Sequence, residues 1–120
     1  MSEQKRRLFV ANAFSLSMLD DKEVYLKVKE IDIETVKVML TQPFISAVGH
    51  ESTSRVLTML LGTLVPYNRI QVKLQKGDKM LVFQLMTRLE EGRILSEEEL
   101  KQLQYKFYLV EVLESPPQRG

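Results

Sequence analysis

Apolar and polar residues follow two periods along this chain, and the period predicts where strands and helices lie. The apolar run at residues 8–11 predicts a buried strand, and the alternation at residues 24–29 predicts a strand with one solvated face. Residues 70–74 and 79–86 alternate in the same way on either side of a Lys-Gly-Asp turn, which predicts a hairpin. Residues 105–113 predict a last strand.

Other segments carry apolar residues three or four positions apart, which is the spacing of an amphipathic helix. Three helices are expected: one at residues 33–40, one that ends at Leu61 before Gly62, and one that follows Ser96. A single helical turn is expected at residues 15–19. Capping residues precede each helix: Asp32 before residues 33–40, Ser52 or Thr53 before the segment that ends at Leu61, and a capping box of Ser96 and Glu99 before the last.

The predicted elements come in the order strand, strand, helix, helix, hairpin, helix, strand, which is not a strict alternation of strand and helix. We therefore expect an α+β fold, with a single domain at residues 8–113 and a mixed β-sheet of about five strands flanked by helices. Residues 1–7 and 114–120 lack a sustained apolar period, so we expect them to be flexible tails.

The charge balance argues against two classes of partner. Lysine and arginine number 17 against 16 acidic residues, so there is no basic excess that would attract duplex nucleic acid or an anionic membrane. The basic and apolar order of residues 5–14 is that of a secretory signal, but polar residues interrupt it and no small-residue cleavage site follows. We expect no membrane span and a cytoplasmic location, in the host if the protein is viral.

The residue inventory also limits the chemistry. The chain has no cysteine, which removes disulfides, thiolate catalysis and cysteine-ligated zinc. It has one histidine, His50, and a metal site built on imidazole ligands normally needs more. We therefore expect neither a metal nor another cofactor.

His50 is the first candidate for acid or base chemistry, because an imidazole in water titrates near about 6.5. It follows Gly49 and stands just before the predicted second helix. Backbone N–H groups at a helix start, with the hydroxyls of Ser52 and Thr53 beside them, can hold a phosphate within reach of His50. A histidine beside a turn glycine can also be a hydrogen-bonded structural residue, and the position alone leaves both interpretations open.

Together with residues 49–53, two further polar clusters lie at the ends of predicted elements, where binding residues concentrate: Asn12 with Ser15, and residues 88–92. Each has a structural interpretation as well. Asn12 and Ser15 can cap a turn, and Arg88 with Glu91 can be a helical ion pair. Asn68, Arg69 and Lys73 can be polar positions of an exposed strand edge.

Taken together, four segments resemble the viral ring nuclease family, which includes anti-CRISPR proteins of archaeal viruses and phages. They occur in the family's order, and the resemblance extends from residue 8 to residue 113. The segments are Ala11-Asn12-Ala13-Phe14-Ser15, Gly49-His50-Glu51-Ser52-Thr53, Asn68-Arg69 leading to Lys73-Leu74, and Arg88-Leu89-Glu90-Glu91-Gly92.

The resemblance implies a homodimer that binds cyclic tetra-adenylate across its two-fold axis. Members of the family cut this messenger without metal to linear di-adenylate ending in a 2′,3′-cyclic phosphate, which switches off type III CRISPR defence. The match places the catalytic histidine on His50 and the active-site glutamate on Glu91. The expected substrate-binding residues are Asn12, Ser15, Gly49, Ser52, Thr53, Arg69 and Arg88, and Asn68 is a further contact to the ligand or across the dimer.

Two other functions remain open from the sequence. The same pocket could bind the cyclic messenger without cutting it, as a sponge or a sensor. A small viral DNA-binding or scaffold protein is the other alternative, and the near-zero net charge counts against it.

Overall fold

The computed structural model describes residues 6–86 and 95–116, and five strands in this part of the chain form one sheet. The strands are β1 (Leu8–Ala11), β2 (Leu26–Ile31), β3 (Ile45–Ala47), β4 (Lys79–Leu85) and β5 (Tyr105–Val112). The helices are α1 (Ile33–Met39), α2 (Glu51–Leu61) and α3 (Glu97–Gln102), with a short 3₁₀ turn at Leu16–Met18. The expected α+β class with a mixed five-stranded sheet is confirmed.

The strand order is β2-β5-β4-β1-β3, and the direction of each strand follows from its neighbours. Strand β1 pairs in parallel with both β3 and β4, whereas β5 runs antiparallel to β4 and β2. Strands β1 to β4 therefore all point the same way, and only β5 is reversed. As a consequence, the carboxyl ends of β1, β3 and β4 meet at one edge of the sheet.

Different kinds of structure cover the two faces of the sheet. All three helices contribute to the apolar layer on one face, which includes Leu57 of α2, Phe83 of β4 and Phe107 of β5. The opposite face is covered by connecting segments, from which Val72 and Leu74 pack against the sheet. Helices thus flank one face, and irregular backbone seals the other.

A side chain caps the start of each helix by accepting the N–H of the third helical residue. Asp32 accepts from Thr35, and hydrogen bonds from the side chain and the backbone of Thr35 lower the pKa of Asp32. Ser96 and Glu99 form the predicted capping box. Gly62 ends α2 at φ 65°, a left-handed conformation that glycine adopts without strain.

The predicted hairpin of residues 70–74 with residues 79–86 is wrong. Strand β4 forms as expected, but β1 and β5 occupy its two edges, so no edge remains for a hairpin partner. The N–H of Leu74 instead donates to the carbonyl of Met18 at 2.7 Å. Val72 and Leu74 still bury their side chains, so the alternation marks a segment that packs on the sheet without joining it.

Two other strand predictions need correction. Strand β3 replaces the predicted strand at 70–74 as the fifth member of the sheet; with three residues it is too short to show a period. The strand predicted at 24–29 forms at Leu26–Ile31, two residues later. It is an edge strand: Val24 and Leu26 pack partly against an apolar layer as the alternation predicts, whereas Val28 remains 55% exposed.

A buried carboxylate ties the start of β1 to the start of β4. Asp78 is 1% exposed and accepts from the Arg7 side chain at 2.6 Å, from the Arg7 backbone N–H at 3.2 Å and from the Gln75 N–H at 2.8 Å. In each bond a carboxylate oxygen of Asp78 is the acceptor, and both oxygens are fully available as acceptors when the carboxylate is ionised. This cluster lies where β1 and β4 start. The carboxyl ends of the parallel strands lie on the opposite side of the sheet.

We predict that Asp78→Asn lowers the free energy of unfolding by about 2–4 kcal/mol, because an amide donor replaces an acceptor next to buried N–H groups. Denaturant unfolding measures the loss. The control is Asp20→Asn, which removes an exposed ion pair with Lys73 and should change stability by less than about 0.5 kcal/mol. Equal effects of the two substitutions would contradict the assignment.

Candidate functional site

The edge where the parallel strands end collects the residues singled out from the sequence. Ala11 is in register with Ala47 on one side and with Val82 on the other. Asn12 therefore leaves the sheet beside the segment that leads to His50. In open sheets of parallel strands, ligands commonly bind outside the carboxyl ends of the strands. Arg88 and Glu91 follow β4 in the sequence and lie outside the described residues.

Asn12 connects the ends of two of these strands. Its Oδ1 accepts the backbone N–H of Gly49 at 3.1 Å. The bond fixes the backbone immediately before His50 and joins two sites that are 37 residues apart in the sequence. The sequence also allowed Asn12 to cap a turn. In the structure its side chain instead makes this long-range hydrogen bond, which positions the histidine.

His50 itself caps helix α2, so the prediction of Ser52 or Thr53 as the cap is wrong. The residue has extended backbone angles, and the helix begins at Glu51. Serine, threonine, aspartate and asparagine are the preferred residues at this position, and histidine is not among them. Helix stability alone therefore does not account for a histidine here.

The contacts of the His50 ring with Thr53 are made by Nδ1. This nitrogen lies 3.4 Å from the Thr53 N–H and 3.2 Å from the Thr53 hydroxyl. A backbone N–H can only donate, so the cap needs an unprotonated Nδ1, and the neutral ring that makes it carries its proton on Nε2. The hydroxyl can donate or accept, so that contact suits either tautomer.

Arg69 packs directly over Gly49. A Cβ added to Gly49 would lie 3.4 Å from Cγ of Arg69, so the aliphatic part of the arginine covers the glycine. Asn68, next to it, donates from its side chain to the Ser46 carbonyl at 2.7 Å and from its backbone to the Val48 carbonyl at 2.8 Å. These bonds support the end of β3 and place the exposed Arg69 against Gly49, the residue before His50.

Other predicted site residues have different surroundings. Ser15 is exposed and starts the 3₁₀ turn, where its hydroxyl lies 2.6 Å from that of Ser17. Ser52 is buried, with 2% of its surface exposed, and Thr53 has 6%. The contacts thus bring together Asn12, Gly49, His50, Thr53 and Arg69, whereas the hydroxyl of Ser15 pairs within its own turn.

An apolar groove of about 280 Å³ runs along α2. Among the described candidate residues, Ser52 lines this groove and His50 does not. The groove is lined by Ser52, Ser54, Arg55, Val56, Thr58, Met59, Leu64 and Leu95. Because Asn12 and Arg69 contact Gly49, and Thr53 contacts His50, we place the candidate site at the carboxyl edge of the strands.

Comparison with known proteins establishes the family. Residues 8–107 match the model of the STIV B116-like family. The chain belongs to this family. The solved structure of B116 of Sulfolobus turreted icosahedral virus superposes on it with a TM-score of 0.79 and 33% identity, covering 88% of this chain and 98% of that one.

Similar proteins occur in several viruses and in a bacterium. Protein 26 of Sulfolobus islandicus filamentous virus is 44% identical over 108 residues, which span 88% of this chain and 92% of that protein. ORF116 of Acidianus filamentous virus 1 is 32% identical, over 79% and 83% of the two chains. YddF of Bacillus subtilis is 31% identical, over 82% and 94%. Similar proteins are thus encoded by viruses and by a bacterium.

Within residues 6–86 and 95–116, no group of three or more histidine and acidic side chains could hold a metal ion. In the same ranges, no helix combines the length and apolar character needed to cross a membrane.

We predict that Asn12→Ala lowers the free energy of unfolding by about 1–2 kcal/mol, because the Gly49 N–H loses its partner. Hydrogen exchange at the Gly49 amide should accelerate in the same variant. The control Asn12→Asp keeps an oxygen in the same place, next to the positive end of α2, and should retain the protection. Unchanged exchange in Asn12→Ala would show that Asn12 does not position the histidine.

Proposed function

We propose that this protein is a metal-independent ring nuclease that cuts cyclic tetra-adenylate. The observation that carries the proposal is the setting of the only histidine of the chain: His50 caps α2 through Nδ1, next to an exposed arginine, at the carboxyl edge of the sheet. This arrangement supports a proton donor acting through Nε2 on a phosphate ester. The resemblance of four segments to the viral ring nuclease family supplies the substrate.

The proposed reaction needs no nucleophilic side chain. The ribose 2′-hydroxyl of the substrate attacks the adjacent phosphorus, so an O2′–P bond forms as the P–O5′ bond breaks. The products then end in a 2′,3′-cyclic phosphate and a free 5′-hydroxyl. A chain without cysteine and with one histidine therefore has enough functional groups for this chemistry.

The departing 5′-oxygen needs a proton, and His50 supplies it from Nε2 in the imidazolium form. General acid catalysis of this kind is typically worth a factor of about 10² to 10⁴. Arg69 and Arg88 offset the charge on the phosphate, as the positive end of α2 also does. The proton of the 2′-hydroxyl passes to Glu91 or, where Glu91 orients His50 instead, to water.

A homodimer completes the scheme. One histidine per subunit gives two in a dimer, and the two-fold axis directs them at opposite phosphates of a ring with matching symmetry. Two cuts convert four adenylates into two dinucleotides. In a virus, this activity in the host cytoplasm would switch off type III CRISPR defence, and the similarity to viral proteins of the family agrees with such a role.

We predict that His50→Asn loses cleavage by a factor of about 10² to 10⁴ while it keeps the affinity for cyclic tetra-adenylate. Asparagine is a preferred helix cap, so this variant should be at least as stable as the natural protein, whereas His50→Ala loses the cap and about 1 kcal/mol. Single-turnover cleavage of radiolabelled substrate, together with thermal unfolding of both variants, measures the two effects separately.

The outcomes of that assay separate the alternatives. Cleavage by His50→Asn at nearly the natural rate would remove His50 from the mechanism. Binding by the natural protein with no turnover would instead identify a sponge or a sensor. Tight binding of duplex DNA at physiological salt, without binding of the cyclic messenger, would favour a DNA-binding protein.

We also predict that an excess of EDTA leaves cleavage unchanged, because each proposed step uses the substrate and side chains alone. The assay compares rates before and after dialysis against chelator. Loss of activity in EDTA that a divalent ion restores would overturn the metal-free mechanism.

A further inference from the structure

We propose that Thr53 is a positioning residue that holds His50 in both of its protonation states, using a different atom for each. The inference rests on the proposed function, since it assigns a partner to the imidazolium that donates the proton. Thr53 presents two groups to the same nitrogen: its backbone N–H lies 3.4 Å from Nδ1 of His50, and its Oγ1 lies 3.2 Å from it.

The two groups differ in what they can do. The backbone N–H only donates, so it binds Nδ1 only when that nitrogen is unprotonated. A hydroxyl both donates and accepts, so Oγ1 can take the hydrogen bond of a protonated Nδ1. Because both atoms lie within about the same distance of Nδ1, the ring can exchange one partner for the other without leaving its place.

This exchange matches the proton balance of the proposed reaction. In the imidazolium, Nδ1–H donates to Thr53 Oγ1 and Nε2–H faces the leaving group. Transfer of the Nε2 proton to the 5′-oxygen leaves a neutral ring with its proton on Nδ1, still bonded to Oγ1. Protonation of Nε2 by the solvent then restores the imidazolium for the next turnover. When the imidazolium gives its Nδ1 proton to water instead, the ring becomes neutral with its proton on Nε2, and Nδ1 again accepts the Thr53 N–H.

The surroundings of Thr53 suit this role. The residue is 6% exposed and lies in the first turn of α2, so its hydroxyl has little freedom to turn towards solvent. The carboxylate of the neighbouring Glu51 is paired with Arg55 at 3.3 Å. Thr53 thus provides a hydroxyl at Nδ1 that the packing of the helix holds in place.

Helix α1 contains a matched arrangement that can serve as a control. Thr35 occupies the third position of α1, as Thr53 does in α2, and its N–H binds the capping side chain of Asp32 at 2.8 Å. Thr35→Val therefore makes the same chemical change at the same helical position, away from the histidine.

The first measurement is the state of the His50 ring by ¹H–¹⁵N NMR without ligand, where a chain with one histidine gives one set of imidazole signals. Above the titration range, the natural protein, Thr53→Val and Thr53→Ser should all carry the neutral proton on Nε2. In the imidazolium, exchange of Nδ1–H with water should be faster by about tenfold or more in Thr53→Val than in the natural protein and Thr53→Ser.

The second measurement is single-turnover cleavage beside ligand affinity. Thr53→Val should cut about tenfold to a hundredfold more slowly, because the imidazolium loses a charge-assisted hydrogen bond. Thr53→Ser should restore most of the rate, and Thr35→Val should leave it unchanged. Affinity for cyclic tetra-adenylate separates this role from the substrate contact that the resemblance implies for Thr53: a loss of affinity in Thr53→Val that accounts for the whole loss of rate would overturn the assignment.

Three further results would overturn the assignment: a neutral ring protonated on Nδ1 in the natural protein, unchanged Nδ1–H exchange in Thr53→Val, or cleavage by Thr53→Val at the natural rate. If the natural protein cut no cyclic tetra-adenylate, the proposed function would fail. The NMR comparison would still decide, by itself, whether Thr53 holds both states of the ring.

Discussion

The parallel pairing of β1 between β3 and β4 is the constraint on which the rest of the structure depends. Because three strands run the same way, their carboxyl ends reach one edge together, and the chain must leave the sheet there. That geometry brings Asn12 next to Gly49 and sets the start of α2 at the same edge. At the opposite edge, the Arg7–Asp78 cluster fixes the starts of β1 and β4.

The candidate site places a histidine at a position that normally has only a structural role. An N-cap is normally filled by a small polar side chain, which satisfies a backbone N–H and does little else. Here a histidine makes the same bond through Nδ1, which is possible when the proton of the neutral ring is on Nε2. The helix start thus orients the ring and supplies a positive end for a phosphate. Both are requirements of the proposed acid.

Local signals predicted the helices well, because a cap or a left-handed glycine acts within one turn. Asp32, Gly62 and the Ser96 capping box all appear where expected. The histidine cap was missed because Ser52 and Thr53 are the better caps by propensity, and a long-range bond from Asn12 fixes the backbone before them.

The sheet was harder to predict, because strand pairing depends on which edges are free. Residues 70–74 have the alternation of a strand, yet β4 already has two partners, and the segment packs on a face instead. Strand β3 has three residues and gains its place by pairing with β1, which no local pattern reveals. The same limit applies to the site: its residue types were visible in the sequence, but the contacts between them were not.

The central claim is that His50 gives a proton to the departing 5′-oxygen. A substrate in which sulfur replaces the bridging 5′-oxygen tests it most directly, because a thiolate leaves without a proton and has no need of a general acid. The measurement is single-turnover cleavage of this substrate by the natural protein and by His50→Asn. If His50 is the general acid, the two proteins cut the sulfur substrate at nearly equal rates. A defect in His50→Asn as large as that on the oxygen substrate would contradict this role.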